Sequence, residues 1–384
     1  MAFKTLHDFD LNNKTVLLRA DLNVPVQNGN VSDTTRIDRL KPTIDYLNQY
    51  DCKVIILSHY GRPKGQVNMD YSLSFLPPTL EKQWCIKVGF GEDSTEKFKL
   101  FENLRFNAGE EANDTAYAQE LATLGDIFIN DAFSTAHRAH ASTEGLARLL
   151  PCAAGLLMEA EINALTNALE APEKPVLAVV GGSKISTKLS VLHNMVEKVD
   201  YLVLGGGMAN TFLLAQGQEI GTSLSEKNMI DEATKIMETA KNSGCEIILP
   251  VDCVVVEKLE AGVNSETVSL ENFPTNKAAV DVGEKSITAL ENILENCKTI
   301  LWNGPLGVFE ITPFDNATNK IAQKAAALTK AGKLLSVAGG GDTVAALDNA
   351  GAIDDFSYIS TAGGAFLEWI EGKELPGVAA LKNN

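Results

Sequence analysis

Four short segments concentrate residues able to grip a small anion: Arg19-Ala-Asp21-Leu-Asn23, Ser58-His59-Tyr-Gly61-Arg62-Pro63, Glu102-Asn-Leu-Arg105 and Asn130-Asp-Ala-Phe-Ser-Thr-Ala-His137-Arg138-Ala-His140. Arginine carries a planar fork of donors that matches carboxylate and phosphate oxygens two at a time, whereas lysine acts as a point charge. All seven arginines, Arg19, Arg36, Arg39, Arg62, Arg105, Arg138 and Arg148, precede Leu150. Converging, the four segments would offer cations and hydrogen-bonding groups to a small polyanion. Arg39 and Arg148 sit in ordinary helical contexts and read as surface pairing residues.

The second half offers a different chemistry. Val180-Gly181-Gly182-Ser183-Lys184, Leu204-Gly205-Gly206-Gly207, Trp302-Asn303-Gly304-Pro305, Ala338-Gly339-Gly340-Gly341-Asp342-Thr343 and Thr361-Ala362-Gly363-Gly364 each follow an apolar run. Glycine lets backbone N–H groups approach a phosphate closely, and a following helix adds its positive end. One Gly-Gly turn is weak evidence, but five such segments in one half are hard to explain as packing. Lys188 follows Lys184 by four residues, so a helix starting near Ser183 would place both ammonium groups on one side, an unfavourable pairing without a bound anion. No G-x-x-x-x-G-K-[ST] occurs, and Gly205-Gly206-Gly207-Met208-Ala209-Asn210 lacks the last glycine of G-x-G-x-x-G. H-R-D and D-F-G triplets are also absent.

These segments need elements to hold them. Short β-branched runs recur at Thr15–Arg19, Lys53–Ser58, Asp126–Asn130, Val176–Val180, Tyr201–Leu204, Glu246–Leu249, Thr299–Trp302, Lys333–Val337 and Ser357–Ser360. Between most of them lie helical periodicities, at Asp33–Gln49, Ser183–Glu197, Ser225–Asn242, Gly283–Asn296 and Pro313–Lys330. The alternation predicts an α/β fold of parallel sheets covered by helices on both faces, with ligands beyond the carboxyl ends of the strands. Two prolines in Glu170-Ala-Pro-Glu-Lys-Pro175 place a boundary near residue 170. The expected division is a domain over 1–170, a second over 171–371, and an apolar tail over 372–384 that packs back.

Composition narrows the class. The chain has 384 residues, 45% hydrophobic and 22% charged, which are ordinary globular values. A net charge of −17 argues against nucleic acid and anionic membrane as partners, so an anionic ligand must find a local basic pocket. The N-terminal residues lack the pattern of a signal peptide and no apolar run is long enough to span a bilayer, which predicts a cytoplasmic protein. Six scattered cysteines without a C-x-x-C pair suggest reduced thiols rather than zinc or a redox pair. His137 and His140 lack a third ligand of suitable spacing.

Taken in order, the motifs resemble those of the phosphoglycerate kinase family nearly end to end: Arg19-Ala-Asp-Leu-Asn-Val-Pro25, Ser58-His-Tyr-Gly-Arg-Pro63, Glu102-Asn-Leu-Arg-Phe106, Asn130 to His140, Gly181-Gly-Ser-Lys184 with Lys188, Trp302-Asn-Gly-Pro305 and Gly339-Gly-Gly-Asp-Thr343. The resemblance implies two doubly wound, Rossmann-like domains facing each other across a hinge and cleft. It implies reversible phosphoryl transfer in glycolysis, from 1,3-bisphosphoglycerate to ADP, giving 3-phosphoglycerate and ATP. By motif, Asp21, Asn23, Arg36, His59, Arg62, Arg105 and Arg138 would bind the acid. Lys188, Gly207, Asn303, Glu310, Gly340, Gly341, Asp342 and Thr343 would bind ATP or ADP, with Asp342 facing Mg²⁺. Arg36, Lys184, Gly363 and Gly364 would surround the transferring group. A monomer is implied.

The chemistry accords with these roles. Phosphoryl transfer needs positioning and charge stabilisation, and in the reverse direction the nucleophile is a carboxylate already ionised, so no general base is required. His59 then reads as a hydrogen-bond donor, and Asp21 as an ionised acceptor for hydroxyls. Three departures from the family pattern stand out. Ala362 replaces the first of three glycines and would add a Cβ beside the phosphoryl path. The span Val88–Phe101 is short, as if one βα unit were truncated, which bears on the setting of Arg105. Ser134 and Tyr60 stand where Gly and Leu are more frequent. The alternatives are a catalytically impaired nucleotide-binding scaffold and a kinase of another small phosphorylated acid.

Overall fold

Thr15-Val-Leu-Leu-Arg19 forms the strand β1 (Thr15–Arg19), whose last four residues are all buried. In a computed structural model that describes residues 3–382, five further strands lie parallel with it: β2 (Lys53–Leu57), β3 (Val88–Phe90), β4 (Phe98–Leu100), β5 (Ile127–Asn130) and β6 (Cys152–Ala154). The sheet order is β3-β4-β2-β1-β5-β6. Strands covered on both faces read as unbroken apolar runs instead of alternating ones, as Val16-Leu-Leu and Val54-Ile-Ile-Leu do. The order reverses at β1, between β2 and β5, and the register sets Arg19 beside Leu57 on one side and Asn130 on the other. The anion-gripping segments leave the sheet at that crevice.

The second sheet runs β9-β8-β7-β13-β14-β15, again all parallel, from β7 (Val176–Gly181), β8 (Tyr201–Gly205), β9 (Glu246–Ile248), β13 (Thr299–Asn303), β14 (Leu335–Gly339) and β15 (Tyr358–Ser360). Counted within this sheet the order is 3-2-1-4-5-6, and its switch point lies between β7 and β13. Trp302, 1% exposed, anchors the core beneath, packed with Leu177, Val179 and Ile300. A separate antiparallel sheet joins β10 (Asp252–Val256), β11 (Glu266–Ser269) and β12 (Ala278–Val282) in the order β11-β10-β12, around a small core of Cys253, Val255 and Phe273.

The chain divides into two units. One runs to Ile162 and takes back the chain from Glu374; the other is Asn163–Lys373. The division falls inside the continuous helix Leu156–Leu165, upstream of the Pro172 and Pro175 break that the sequence marks. The apolar tail is the helix Pro376–Lys382, and the Gly377 N–H donates to the Ala136 carbonyl at 2.9 Å.

One local expectation changes, and the short span near residue 90 has the truncated form that the sequence suggests. The helix read from Ser183 starts only at Leu189, because Ile185–Thr187 is a 3-10 turn: Thr187 Oγ1 donates to the Lys184 carbonyl, and the Ser186 N–H and hydroxyl both donate to the Glu226 carboxylate. Ser and β-branched residues resist continuing the helix here. The short span Val88–Phe101 holds two three-residue strands, β3 and β4, paired directly in parallel with no helix between them.

Candidate active site

In the first unit the loop after β1 meets the first turn of the helix Thr35–Asn48 and the loop after β5. Arg36 Nη1 lies 2.6 Å from Asp21 Oδ2, and the Ser134 hydroxyl donates to the same oxygen at 2.5 Å. Burial pushes the Asp21 carboxyl up, but the Arg36 guanidinium and the donors from Ser134 and the Asn23 N–H more than reverse this, holding it below the usual range. Asn23 Oδ1 accepts the Gly61 N–H at 3.0 Å, tying the loop after β1 to the loop after β2. Asn23, Arg36 and Gly61 line a cavity of about 600 Å³, with Tyr60 and Tyr71 on its wall.

The basic residues differ sharply in setting. Arg62 is exposed, with no hydrogen bond or ion pair among the described residues. Arg105 is 5% exposed, donates to the Gly61 carbonyl at 2.8 Å and pairs with Glu111 at 3.1 Å, so the short β3–β4 segment leaves it firmly held. Arg138 is half-buried and its Nε is 3.2 Å from His137 Nε2. His59 is 6% exposed, with Nδ1 3.1 Å from Arg19 Nη2. Burial, then the Arg19 charge, pushes its pKa well below the ordinary value, so the ring is neutral at pH 7. Arg19, grouped by sequence with the pocket arginines, is instead 1% exposed and spends its donors on Ala20, Ser142 and His59. No group of three His, Cys, Asp or Glu among the described residues is placed to hold a metal ion, His137 and His140 included.

The second unit holds a cavity of about 570 Å³ lined by Gly182, Gly206, Gly207, Glu310 and Asp342 on one part and by Leu224, Leu259, Val308 and Phe309 on another. A slot with an apolar wall and a glycine- and carboxylate-bearing end suits a flat ring joined to a polar tail. Beside it lies the β7/β13 switch point. Lys188 Nζ donates there to Asn303 Oδ1 at 2.7 Å and to the Gly181 carbonyl at 2.8 Å, while Asn303 Nδ2 donates to the Gly339 carbonyl at 2.7 Å. Thr343 Oγ1 accepts the Gly304 N–H at 2.7 Å. Burial lowers the Lys188 pKa to about 8, against the opposing pull of Asp342. Lys184 is exposed and extended rather than helical, so the two lysines do not stack on one helix face.

The glycines divide in two. A Cβ on Gly304 would lie 2.2 Å from the Gly181 carbonyl oxygen, and one on Gly206 2.8 Å from that of Gly182. These residues let neighbouring strand-end loops touch one another, so packing accounts for more of them than the pattern suggested. Gly341 and Gly363, by contrast, face open space, at the starts of the helices Gly341–Asn349 and Gly364–Ile370. Gly340, at φ +98, turns the chain into the first of these helices. Asp342 and Gly364 are exposed in the opening turns, and Ala362 is 7% exposed, turned into the fold.

In the sequence Ser134, 113 residues from its partner Asp21, stands out only as a departure from the family pattern, and Glu110, Ser142 and the apolar lining at Leu224 and Val308 do not stand out at all. No linear pattern marks them, because each acts through a contact made only on folding.

Comparison with known proteins gives a consistent result. A family model described as Phosphoglycerate kinase matches residues 6–373. Curated relatives named Phosphoglycerate kinase include one from Rhodospirillum centenum, 56% identical and covering 99% of this chain and 100% of its own length, and one from Ruegeria sp., 56% identical with 100% of both covered. The solved structure of phosphoglycerate kinase from Coxiella burnetii superposes with a TM-score of 0.94 at 43% identity, covering 99% of each chain. That from Pyrococcus horikoshii gives 0.78 at 30% identity, covering 99% of this chain and 98% of its own.

Proposed function

The chain belongs to the phosphoglycerate kinase family, and from that premise we propose how its residues divide the family's reaction, the reversible phosphoryl transfer between 1,3-bisphosphoglycerate and ADP that gives 3-phosphoglycerate and ATP in glycolysis. The unit that carries every arginine binds the acid, through Asp21, Asn23, Arg36, His59, Arg62, Arg105 and Arg138. The unit with the apolar slot binds the nucleotide, through Lys188, Gly207, Asn303, Glu310, Gly340, Gly341, Asp342 and Thr343. The observation that carries this division is the segregation of guanidinium groups in one unit and of a slot with open helix N-termini in the other.

The chemistry asks for little beyond placement and charge. Arg36, Lys184 and the amides of Gly363 and Gly364 offset charge on the transferring oxygens. His59, neutral, donates a hydrogen bond and moves no proton in the reaction. Asp342 fits Mg²⁺: a single exposed carboxylate at an open helix start suits an ion that keeps most of its ligands from phosphate and water. When bound, Mg²⁺ supplies neutralisation of the phosphate oxygens. The scaffold and altered-substrate readings are not favoured, since full-length relatives carry the kinase name.

The test is ATP- and Mg²⁺-dependent consumption of 3-phosphoglycerate, read by coupling the acyl phosphate to NADH oxidation. Turnover supports the reading; nucleotide binding without turnover overturns it. We place the protein in the cytoplasm, a reading supported by six free cysteines, and take it as a monomer, as the family resemblance implies. No helix among the described residues is long and apolar enough to cross a membrane.

A further inference from the structure

Behind the acid-binding loops lies a buried chain of groups that the reaction does not use. Glu110, 0% exposed in the short helix Ala108–Glu111, accepts the Ser142 hydroxyl at 2.6 Å and the Ser142 N–H at 3.1 Å. Ser142 Oγ accepts Arg19 Nε–H at 2.8 Å. Arg19 in turn directs Nη1 to the Ala20 carbonyl and Nη2 to His59 Nδ1.

The donor sense of this chain is fixed by chemistry. A guanidinium has N–H donors and no acceptor, so His59 Nδ1 must present a lone pair to Arg19. The ring proton of the neutral imidazole then sits on Nε2, on the far side of the ring from Arg19. Ser142 has one hydroxyl hydrogen, spent on Glu110, so its oxygen is free to accept from Arg19. Glu110 faces Arg19 across Ser142: burial pushes its carboxyl up, and the Arg19 charge and the two Ser142 donors pull against that rise.

We propose that Arg19, clamped by Ser142 and Glu110, is a positioning residue that locks His59 in its Nε2–H tautomer, so that the ring always offers the anionic substrate a donor and never a lone pair. The proposal rests on the acid-binding role assigned above. The charged groups that face His59 are Arg19 at the end of β1, Asp21 in the loop after it, Arg36 on the helix Thr35–Asn48 and Arg105 in the turn Leu104–Phe106. Three guanidinium groups against one carboxylate oppose a second ring proton. Without Arg19 the ring is free to carry its proton on Nδ1, turning a lone pair towards substrate oxygens, or to become imidazolium near neutral pH.

The experiment uses the full chain labelled with 15N-histidine and long-range proton–nitrogen correlation, with the His59 signal assigned from a His59→Gln variant. The expected wild-type result is the Nε2–H tautomer, without titration from about pH 6 to about pH 8. The double variant Arg19→Met/Glu110→Gln removes the two buried ionisable groups together. It is expected to show an Nδ1–H or imidazolium population, a KM for 3-phosphoglycerate about tenfold higher with kcat within about twofold, and a KM that now varies with pH. If that variant does not fold, Ser142→Ala decides, with an Nδ1–H population again expected. A wild-type proton on Nδ1, or a variant whose tautomer and pH profile are unchanged whatever its KM, overturns the proposal. The tautomer is read without substrate, so its failure is distinct from a failure to turn over 3-phosphoglycerate.

Discussion

Lys188 Nζ and Asn303 Oδ1 lie 2.7 Å apart, joining the turn that follows β7 to the end of β13 across the switch point of the second sheet. The ammonium is held by carbonyl oxygens alone, from Asn303 and Gly181, and has no carboxylate partner within ion-pair distance among the described residues. A partly buried cation without a counter-ion is placed to take a phosphate.

Because burial holds the Lys188 pKa at about 8, below its ordinary 10.5, the free protein loses this charge as pH rises through 8. A bound phosphate restores it. ADP binding above about pH 8 is therefore expected to take up a proton, detectable by calorimetry in buffers of different ionisation enthalpy. Lys188→Met should abolish the uptake and weaken ADP binding about tenfold or more. Equal uptake in the variant would assign the proton to another group.

Lys184 is exposed and its ammonium makes no hydrogen bond among the described residues. Lys184→Ala should leave the melting temperature and 3-phosphoglycerate affinity nearly unchanged while lowering kcat about 10²-fold or more, as expected for a charge used only in the transition state. Unchanged turnover would remove it from the reaction.

Arg62 and Arg105 should separate binding from stability. Arg62→Ala removes a free, exposed guanidinium and is expected to raise the KM for 3-phosphoglycerate about tenfold with a stability change within ~0.5 kcal/mol. Arg105→Ala removes a buried donor to the Gly61 carbonyl and leaves Glu111 unpaired, and should also cost about 1–3 kcal/mol in urea unfolding. Equal stability of the two variants would contradict the difference in burial.

Ala362 should be nearly silent in catalysis. Its side chain is turned into the fold, while Gly363 at φ +54 and exposed Gly364 supply the open backbone. Ala362→Gly is expected to change kcat by less than about twofold and to lower stability by about 0.5–1 kcal/mol through the freer unfolded chain. A large gain in turnover would show that the methyl group obstructs the phosphoryl path.

The class of fold and the polar residues at the strand ends are legible in the sequence alone. Continuous apolar runs such as Val16-Leu-Leu, alternating with helical periodicities, require parallel sheets covered on both faces, and the polar residues that break those runs mark the strand ends. What it did not carry was anything that depends on which strand ends meet. The β10, β11 and β12 sheet joins one buried strand to two partly exposed ones, without a shared alternation of apolar and polar residues, so no periodicity announces it. The late start of the helix at Leu189 was decided by Glu226, 40 residues from Ser186. Arg19, His59, Ser142 and Glu110 share no mark in the sequence, lying at a strand end, in a loop and in two short helical segments. Only folding buries them against one another, and in that low-dielectric setting each donor must find its acceptor, which is why tertiary structure separated the arginine that holds a histidine from those free to hold a substrate.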